Sequence, residues 1–230
     1  MIHRLKSLLR GEPEEIRPWL VESGIRWVMV CAIVVLIGSG LYGFTVGLWH
    51  APRQAVYTAI KFPLLIFLTC AGNALLNGML AQVLGSGLSF RQTSIAILMS
   101  CTVTSLILGA LAPVSLFVLY NTPPLDSKAT VLGHSITLLT HVVFIACAGV
   151  IANQRLYRLL AAVGGSRRLA GQVLFGWLSG NFLLGSQLAW VLRPFIGSPG
   201  IAIEFLRPDP LRGSFYEAVW RALRHIIFST

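Results

Sequence analysis

Charge is the scarcest property of this 230-residue sequence, since Asp, Glu, Lys and Arg together make up only 11% of it. A soluble domain carries about a quarter charged residues, so this scarcity excludes an ordinary soluble fold. Acidic residues are rarest, with 8 Asp and Glu against 18 Lys and Arg, which gives a net charge of +10. Nucleic-acid binding would require those cations on a soluble face. They lie instead between apolar runs, so we expect them to meet anionic lipid headgroups.

Residue patterns that carry chemistry are also scarce. The 4 cysteines lie inside apolar runs, too far apart in sequence for a metal knuckle or a redox motif, so we interpret them as small buried side chains. The nucleophile motif Gly-x-Ser-x-Gly does not occur, and no predicted span contains an Asp or Glu of the kind that many ion-coupled transporters use. The sequence therefore predicts no catalytic residue, no metal site and no cofactor.

The best candidates for intramembrane chemistry are two histidines on the fourth predicted helix, His134 and His141. At 1.5 Å per residue they lie about 10 Å apart along the helix axis, which is too far for one metal ion. We therefore expect His141 to form hydrogen bonds within the helix bundle. An intramembrane enzyme that uses either histidine is the weaker alternative.

Long apolar runs are what the sequence has in abundance, with 55% hydrophobic residues and a mean hydropathy of +0.75. Residues 61–84 carry no charge after Lys61, and residues 93–120 carry none at all. Each run exceeds the roughly 20 residues needed to cross about 30 Å of hydrocarbon. The connector at residues 85–92 is polar and rich in glycine, and its Arg91 is suited to binding lipid headgroups or a partner. This hairpin predicts two membrane-spanning helices.

Further apolar runs at residues 26–49, 131–152 and 172–192 extend the pair to five predicted spans. Small residues recur every four positions in several of them, a spacing that lets helices approach closely. We therefore expect an all-α polytopic membrane protein built as a five-helix transmembrane bundle, with amphipathic interfacial helices at both termini. The expected parts are an N-terminal amphipathic segment (1–25), the transmembrane domain (26–193) and a Pro-rich tail with an amphipathic helix (194–230).

Both ends of the chain predict short helices that are too charged to cross a bilayer. Residues 1–10 place apolar side chains on one helical face and basic ones on the other, and residues 214–228, which include Trp220, do the same. Such helices lie flat on an anionic membrane or dock on a partner. No cleavable signal peptide is expected, because the first hydrophobic run begins only near Arg26 and is too long for one.

Four polar residues inside the predicted spans require partners. Asn73 and Asn77 lie four apart on one helical face, and His141 and Asn181 lie on other spans. Because an amide in hydrocarbon is costly unless it is hydrogen-bonded, we expect these residues to make polar contacts within the bundle. Alternatively, the face that carries Asn73 and Asn77 lines a pore or a lipid-headgroup site.

The last predicted span ends in an aromatic residue and a cation. Arg193, just past Trp190, is a candidate for binding a lipid phosphate or a partner carboxylate. Simple extension of the Arg193 side chain to the membrane surface is an equally good interpretation. Trp220 in the terminal amphipathic helix is a further candidate for lipid or partner binding.

The distribution of Lys and Arg predicts a cytoplasmic N-terminus and a C-terminus on the opposite side. With that orientation ten of them lie inside and three outside, counted up to the last span. The inside residues are Arg4, Lys6, Arg10, Arg17, Arg26, Arg91, Arg155, Arg158, Arg167 and Arg168, and the outside residues are Arg53, Lys61 and Lys128.

The hairpin at residues 61–120 resembles one found in the Yip family of Ypt/Rab-interacting membrane proteins. The features that carry the resemblance are its connector, Gly-Ser-Gly-Leu-Ser-Phe-Arg-Gln, and prolines near the start of its first helix and late in its second. Bacterial members have a similar Ser-Phe-Arg-Gln joint. The resemblance covers about half of the chain and implies a five-helix bundle with a cytoplasmic N-terminus in a bacterial inner membrane, with a mostly unassigned function.

These observations predict a non-enzymatic membrane scaffold or accessory subunit that docks partner proteins or lipids. The expected partners are membrane lipids and either another membrane protein or a second copy of this chain, and no nucleic acid. The alternative is a small oligomeric channel, or a transporter of lipids or small solutes, that uses the face of Asn73 and Asn77.

Overall fold

A computed structural model describes residues 2–22, 24–83, 89–164, 167–197 and 200–217. Within these ranges every regular element is an α-helix, which confirms the predicted all-α class. The helices are α1 (Ile2–Arg10), α2 (Pro13–Glu22), α3 (Ile25–Leu48), α4 (Pro52–Val83), α5 (Phe90–Tyr120), α6 (Thr130–Gly164) and α7 (Arg167–Val191).

Four of these helices are long and apolar enough to cross a membrane, so the prediction of an integral membrane protein is confirmed at this level. By length and composition, the candidate spans are α3, Pro52–Leu76 of α4, α5 and Leu132–Val163 of α6. α7 has 25 residues but is not among the four spans found in the described part of the chain. Length and composition therefore identify four spans in the described residues and do not identify the predicted fifth one.

The bundle has two ends, which we call the N-terminal pole and the tail pole. The first turns of α3, α5 and α7 meet the last turns of α6 at the N-terminal pole, where one buried apolar cluster holds them together. At the tail pole, the end of α3 and the start of α4 share a second cluster with the segment that follows α7. α5 is the most enclosed candidate span, with 50% of its most apolar window buried against 22% for α6.

The N-terminal segment folds as two helices that pack on the bundle. Leu8 of α1 and Ile16 and Leu20 of α2 are buried in the cluster at the N-terminal pole. Arg4 lies over the rings of Trp19 and Trp27, with its guanidinium carbon 5.4 and 5.7 Å from their centroids. The terminal apolar residues therefore contact the protein itself. The C-terminal amphipathic helix predicted at residues 214–228, with Trp220, lies outside the described residues beyond position 217.

Two helices are longer than the apolar runs that predict them. α4 begins at Pro52, nine residues before the predicted span, and α6 continues to Gly164, twelve residues beyond its apolar run. α5 begins at a capping box in which Ser89 and Gln92 exchange hydrogen bonds. The helices thus end where capping and turn residues occur, and continue through polar residues that find partners.

Close helix contacts depend on small residues in α3. A methyl group at Gly43 would lie 2.6 Å from the Thr58 carbonyl oxygen of α4. One at Gly109 of α5 would lie 3.0 Å from the Cα atom of Gly38. Because backbone atoms block both positions, α3 sits between α4 and α5 at a distance that larger side chains would not allow.

Candidate functional site

The segment that follows α7 is fastened to the first turns of α4 by three buried side chains. Lys61 Nζ donates to the Pro194 carbonyl oxygen at 2.7 Å. Gln54 Nε2 donates to the carbonyl oxygens of Pro194 and Phe195 at 3.0 and 2.8 Å, and Thr58 Oγ1 donates to that of Phe195 at 2.6 Å. The three side chains are four and three residues apart, so they share one face of α4. We call this set of contacts the tail clamp.

Lys61 is the central residue of the tail clamp. The sequence had not predicted it as a site residue. Its side chain is completely buried, which is rare for lysine. The ammonium nitrogen lies 5.0 Å from the ring centroid of Phe205 and 6.0 Å from that of Phe195. One carbonyl dipole and two aromatic faces thus replace the water that the charge has lost. The signal in the sequence was the polar face formed by Gln54, Thr58 and Lys61 at the entrance to an apolar helix.

Further contacts hold the rest of the tail along the last turns of α7. The hydroxyl groups of Ser186 and Tyr216 are 2.7 Å apart, and the backbone N–H of Phe215 donates to Gln187 Oε1 at 3.3 Å. The described part of the tail, residues 193–197 and 200–217, is therefore bound to the bundle at two places, one on α4 and one on α7.

These contacts enclose a polar recess of about 520 Å³ at the tail pole, which we call the tail recess. Its principal side chains are Trp190, Arg193, Arg207, Asp209, Arg212 and Glu217. Trp190 and Arg193 were predicted from the sequence as lipid- or partner-binding residues, and the structure brings these two side chains together. The Arg193 guanidinium carbon lies 3.6 Å from the Trp190 ring centroid, and Nη1 of Arg193 donates to the Trp190 carbonyl oxygen at 2.6 Å.

Positive charge is concentrated in the tail recess. Three guanidinium groups line it against two carboxylates. Burial, and then the nearby Arg207, lower the pKa of Arg193 from its usual value. The lowered pKa means that the recess disfavours the charge it carries, so an anion bound there would relieve the repulsion between the two arginines.

The polar residues predicted inside the bundle form two separate contacts. Asn73 Nδ2 of α4 donates to Asn181 Oδ1 of α7. The His141 ring of α6 is hydrogen-bonded through Nδ1 to the Tyr42 hydroxyl of α3 at 2.8 Å, and both side chains are buried. The side chain of Asn77 lies outside the described residues. The second candidate histidine, at position 134, has its ring centroid 5.6 Å from that of Trp49 and belongs to neither contact.

Arg91 lies at the N-terminal pole, far along the bundle from the tail recess. It borders a groove of about 370 Å³ between α3 and α5 whose walls include Ile25, Val28 and Leu98. A second groove, beside it on α3, is lined by Arg4. The structure thus separates the predicted lipid- or partner-binding residues, with Arg91 at one pole and the tail recess at the other.

The arrangement provides binding groups, and in the described residues no three His, Cys, Asp or Glu side chains are grouped as a metal site would require. Comparison of the chain with protein-family models, with curated proteins and with solved structures found no match.

Proposed function

We propose that this chain is a non-enzymatic integral membrane scaffold or accessory subunit that holds a charged tail at a fixed position on one membrane surface. The tail clamp is the observation that carries the proposal. A flexible linker would not need to be fixed by three buried polar side chains. A docking surface does benefit from a fixed orientation, because less conformational entropy is then lost when a partner binds. Gln54, Thr58 and Lys61 supply that orientation from the membrane helix itself.

A fifth span at α7 completes the proposed topology. Its 25 residues extend about 37 Å at 1.5 Å per residue, enough to cross the hydrocarbon core. Its polar side chains lower its hydropathy, but three of them have protein partners: Asn181 with Asn73, Ser186 with Tyr216 and Gln187 with the Phe215 amide. Because satisfied polar groups cost less in hydrocarbon, these contacts support a crossing.

Five spans would place the two poles on opposite membrane surfaces. The excess of Lys and Arg at the N-terminal pole then favours a cytoplasmic N-terminus, where α1 and α2 meet anionic lipids. The tail recess would face the other side. The resemblance to the Yip family is consistent with this orientation and favours a bacterial inner membrane.

The proposed docking surface is the exposed side of the tail. Leu211 is 79% exposed and Ile201 is 50% exposed, close in sequence to the arginines of the tail recess. Apolar side chains flanked by arginines are typical of surfaces that bind proteins or lipid headgroups. We propose a partner membrane protein or a second copy of this chain as the protein bound here.

The proposal is tested by photo-crosslinking in native membranes. A photoreactive amino acid at position 211 is expected to give a discrete adduct, and one at position 117, an exposed apolar site on α5, is expected to give none. Lys61→Ala should weaken the adduct from position 211, because the tail loses its fixed position. Extraction of a solitary monomer, together with the absence of any adduct from position 211, would contradict the scaffold proposal.

A further inference from the structure

The tail recess lies directly after the last helix of the bundle, so it is at the membrane surface if α7 crosses as proposed. Trp190 is the penultimate residue of α7, at the depth where tryptophan rings prefer the interface if α7 spans. Phe182 and Leu183 lie about two turns before Trp190 on α7 and are 62% and 56% exposed. A phospholipid headgroup in the recess would therefore lie near Arg193, and its acyl chains could extend along the exposed apolar side chains of α7.

One side of the tail recess is built for a phosphate group. Nε of Arg193 is a buried donor that has no hydrogen-bond partner, while Nη1 of the same side chain is held by the Trp190 carbonyl oxygen. Arg207 and Arg212 line the same space. A fixed guanidinium with an unused donor and two neighbouring cations matches the oxygen atoms of a phosphodiester.

The other side of the tail recess carries negative charge. Asp209 is exposed and lines the recess, and in the described residues it forms no ion pair within 4.0 Å with Arg193, Arg207 or Arg212. Glu217 lies on the same wall. A purely anionic headgroup would be repelled by these carboxylates, whereas a headgroup that also carries an ammonium group would be attracted by both signs of charge.

We propose that the tail recess binds the headgroup of phosphatidylethanolamine, with its phosphate at Arg193 and Arg207 and its primary ammonium at Asp209. The inference rests on the proposed position of the tail at the membrane surface. A bound lipid would occupy the unused donor of Arg193 and separate the two arginines. It would also place acyl chains along Phe182 and Leu183.

Native mass spectrometry of the full chain, released from nanodiscs, tests this proposal. The discs contain phosphatidylcholine with a minor fraction of phosphatidylethanolamine or phosphatidylglycerol, and the lipid retained by the protein is identified. We expect phosphatidylethanolamine to be retained about tenfold over its share of the disc, equivalent to ~1.4 kcal/mol. Retention of all three lipids in proportion to their share would overturn the proposal.

Substitutions at Arg207 and Asp209 test separately the contacts with the phosphate and with the ammonium group of the lipid. Arg207→Gln should abolish the enrichment, and Arg207→Lys should keep most of it because the charge remains. Asp209→Asn should remove the preference over phosphatidylcholine, whose trimethylated amine cannot donate a hydrogen bond. Lys128→Gln, which removes an exposed cation outside the recess, should change nothing. Unchanged enrichment in both Arg207→Gln and Asp209→Asn would refute the assignment, and thermal unfolding of each variant checks that it is folded.

Soluble competitors distinguish a lipid from a free phosphate compound. Inorganic phosphate and phosphoethanolamine lack acyl chains, so neither should displace the retained lipid at millimolar concentration. Displacement by either would assign the recess to a soluble anion instead. Because these experiments use the purified chain, their failure would leave the crosslinking result for the scaffold intact, and the reverse also holds.

Discussion

A lysine buried in an apolar bundle requires partners for its charge, and Lys61 finds them in a segment more than a hundred residues further along the chain. Its ammonium group contacts the carbonyl oxygen of Pro194 and the ring of Phe205. Those partners come from the tail, so the lysine couples the position of the tail to the folding of α4. The same dependence makes Lys61 the residue whose loss should free the tail first.

Lys61→Ala should release the tail without unfolding the bundle. The substitution removes one hydrogen bond and two aromatic contacts, and we expect trypsin to cleave after Arg212 at least tenfold faster, which corresponds to ~1.4 kcal/mol of local stability. Cleavage is followed by mass spectrometry in detergent. Lys128→Ala, an exposed site at the same pole, is the matched control and should cleave in the tail at the wild-type rate. Equal rates in the two variants would show that the clamp does not depend on Lys61.

Tyr42→Phe should destabilise the bundle through His141. The variant loses the hydroxyl group that pairs with Nδ1 of the buried His141, and we expect a loss of about 1 kcal/mol in unfolding free energy. Tyr57→Phe is the control, because the Tyr57 hydroxyl bonds only to exposed Arg53 among the described contacts, and it should change stability by less than about 0.5 kcal/mol. Unfolding in mixed micelles measures both. An equally large loss of unfolding free energy in Tyr57→Phe would show that the buried hydrogen bond between Tyr42 and His141 does not contribute more to stability than an exposed one.

At the scale of helices, contact between α3 and α4 depends on the absence of a side chain at Gly43. Gly43→Ala would bring a methyl group to 2.6 Å from the Thr58 carbonyl oxygen, so the helices must separate, at a cost of about 1–3 kcal/mol. Gly149→Ala on α6 meets nothing within 4 Å and should leave stability unchanged or slightly raised. Thermal unfolding of the two variants side by side is the measurement. Similar melting temperatures would indicate that α3 and α4 are not in close contact.

The contact between α4 and α7 depends on a pair of amides. Asn73→Leu should cost about 0.6 kcal/mol and no more than about 1.7, the range found for hydrogen bonds between membrane helices. A double-mutant cycle with Asn181→Leu isolates the pair, and we expect the second substitution to add little once the first is made. The same Asn73→Leu protein tests the channel alternative in liposomes. Solute flux in the wild type that is lost in this variant would favour a pore over the proposed scaffold.

A comparison of the predicted and observed helix boundaries shows how much of the fold the sequence predicts by itself. The apolar runs predict α3 and α5 to within a few residues, because lipid-facing helices are apolar on every side. α4 and α6 extend beyond their runs, since Gln54 and Thr58 are satisfied by the tail and Arg155 donates to the Arg10 carbonyl oxygen of α1. Hydropathy does not register such partners. In α2, Pro18 lies inside a helix, which hydropathy alone does not predict.

The candidate site was predictable only in part, for a similar reason. Trp190 and Arg193 are only three residues apart at the end of α7, so their sequence spacing already predicts that they lie close together. Lys61 donates to the backbone carbonyl group of Pro194, 133 residues away, and a sequence does not show which backbone carbonyl groups are available as partners. Arg207 and Asp209 join the recess only because the chain folds back along α7. Local sequence patterns therefore predicted Trp190 and Arg193, while the contribution of Arg207 and Asp209 to the recess became visible only in the folded structure.

At the scale of the whole molecule, the N-terminal helices and the tail lie on opposite membrane surfaces in the proposed topology. That arrangement follows from five crossings, of which α7 is the one that composition alone does not identify. If α7 crosses, the tail recess and the basic N-terminal helices face different leaflets. If it does not, the N-terminal helices and the tail lie on the same side of the membrane, and the proposed topology is wrong.

Cysteine labelling in intact cells tests this claim most directly. In a background without the 4 native cysteines, Leu9→Cys and Leu211→Cys report on the two ends, and both positions are exposed. A membrane-impermeant maleimide should label position 211 in intact spheroplasts and position 9 only after permeabilisation. Labelling of both positions from the same side would contradict the account.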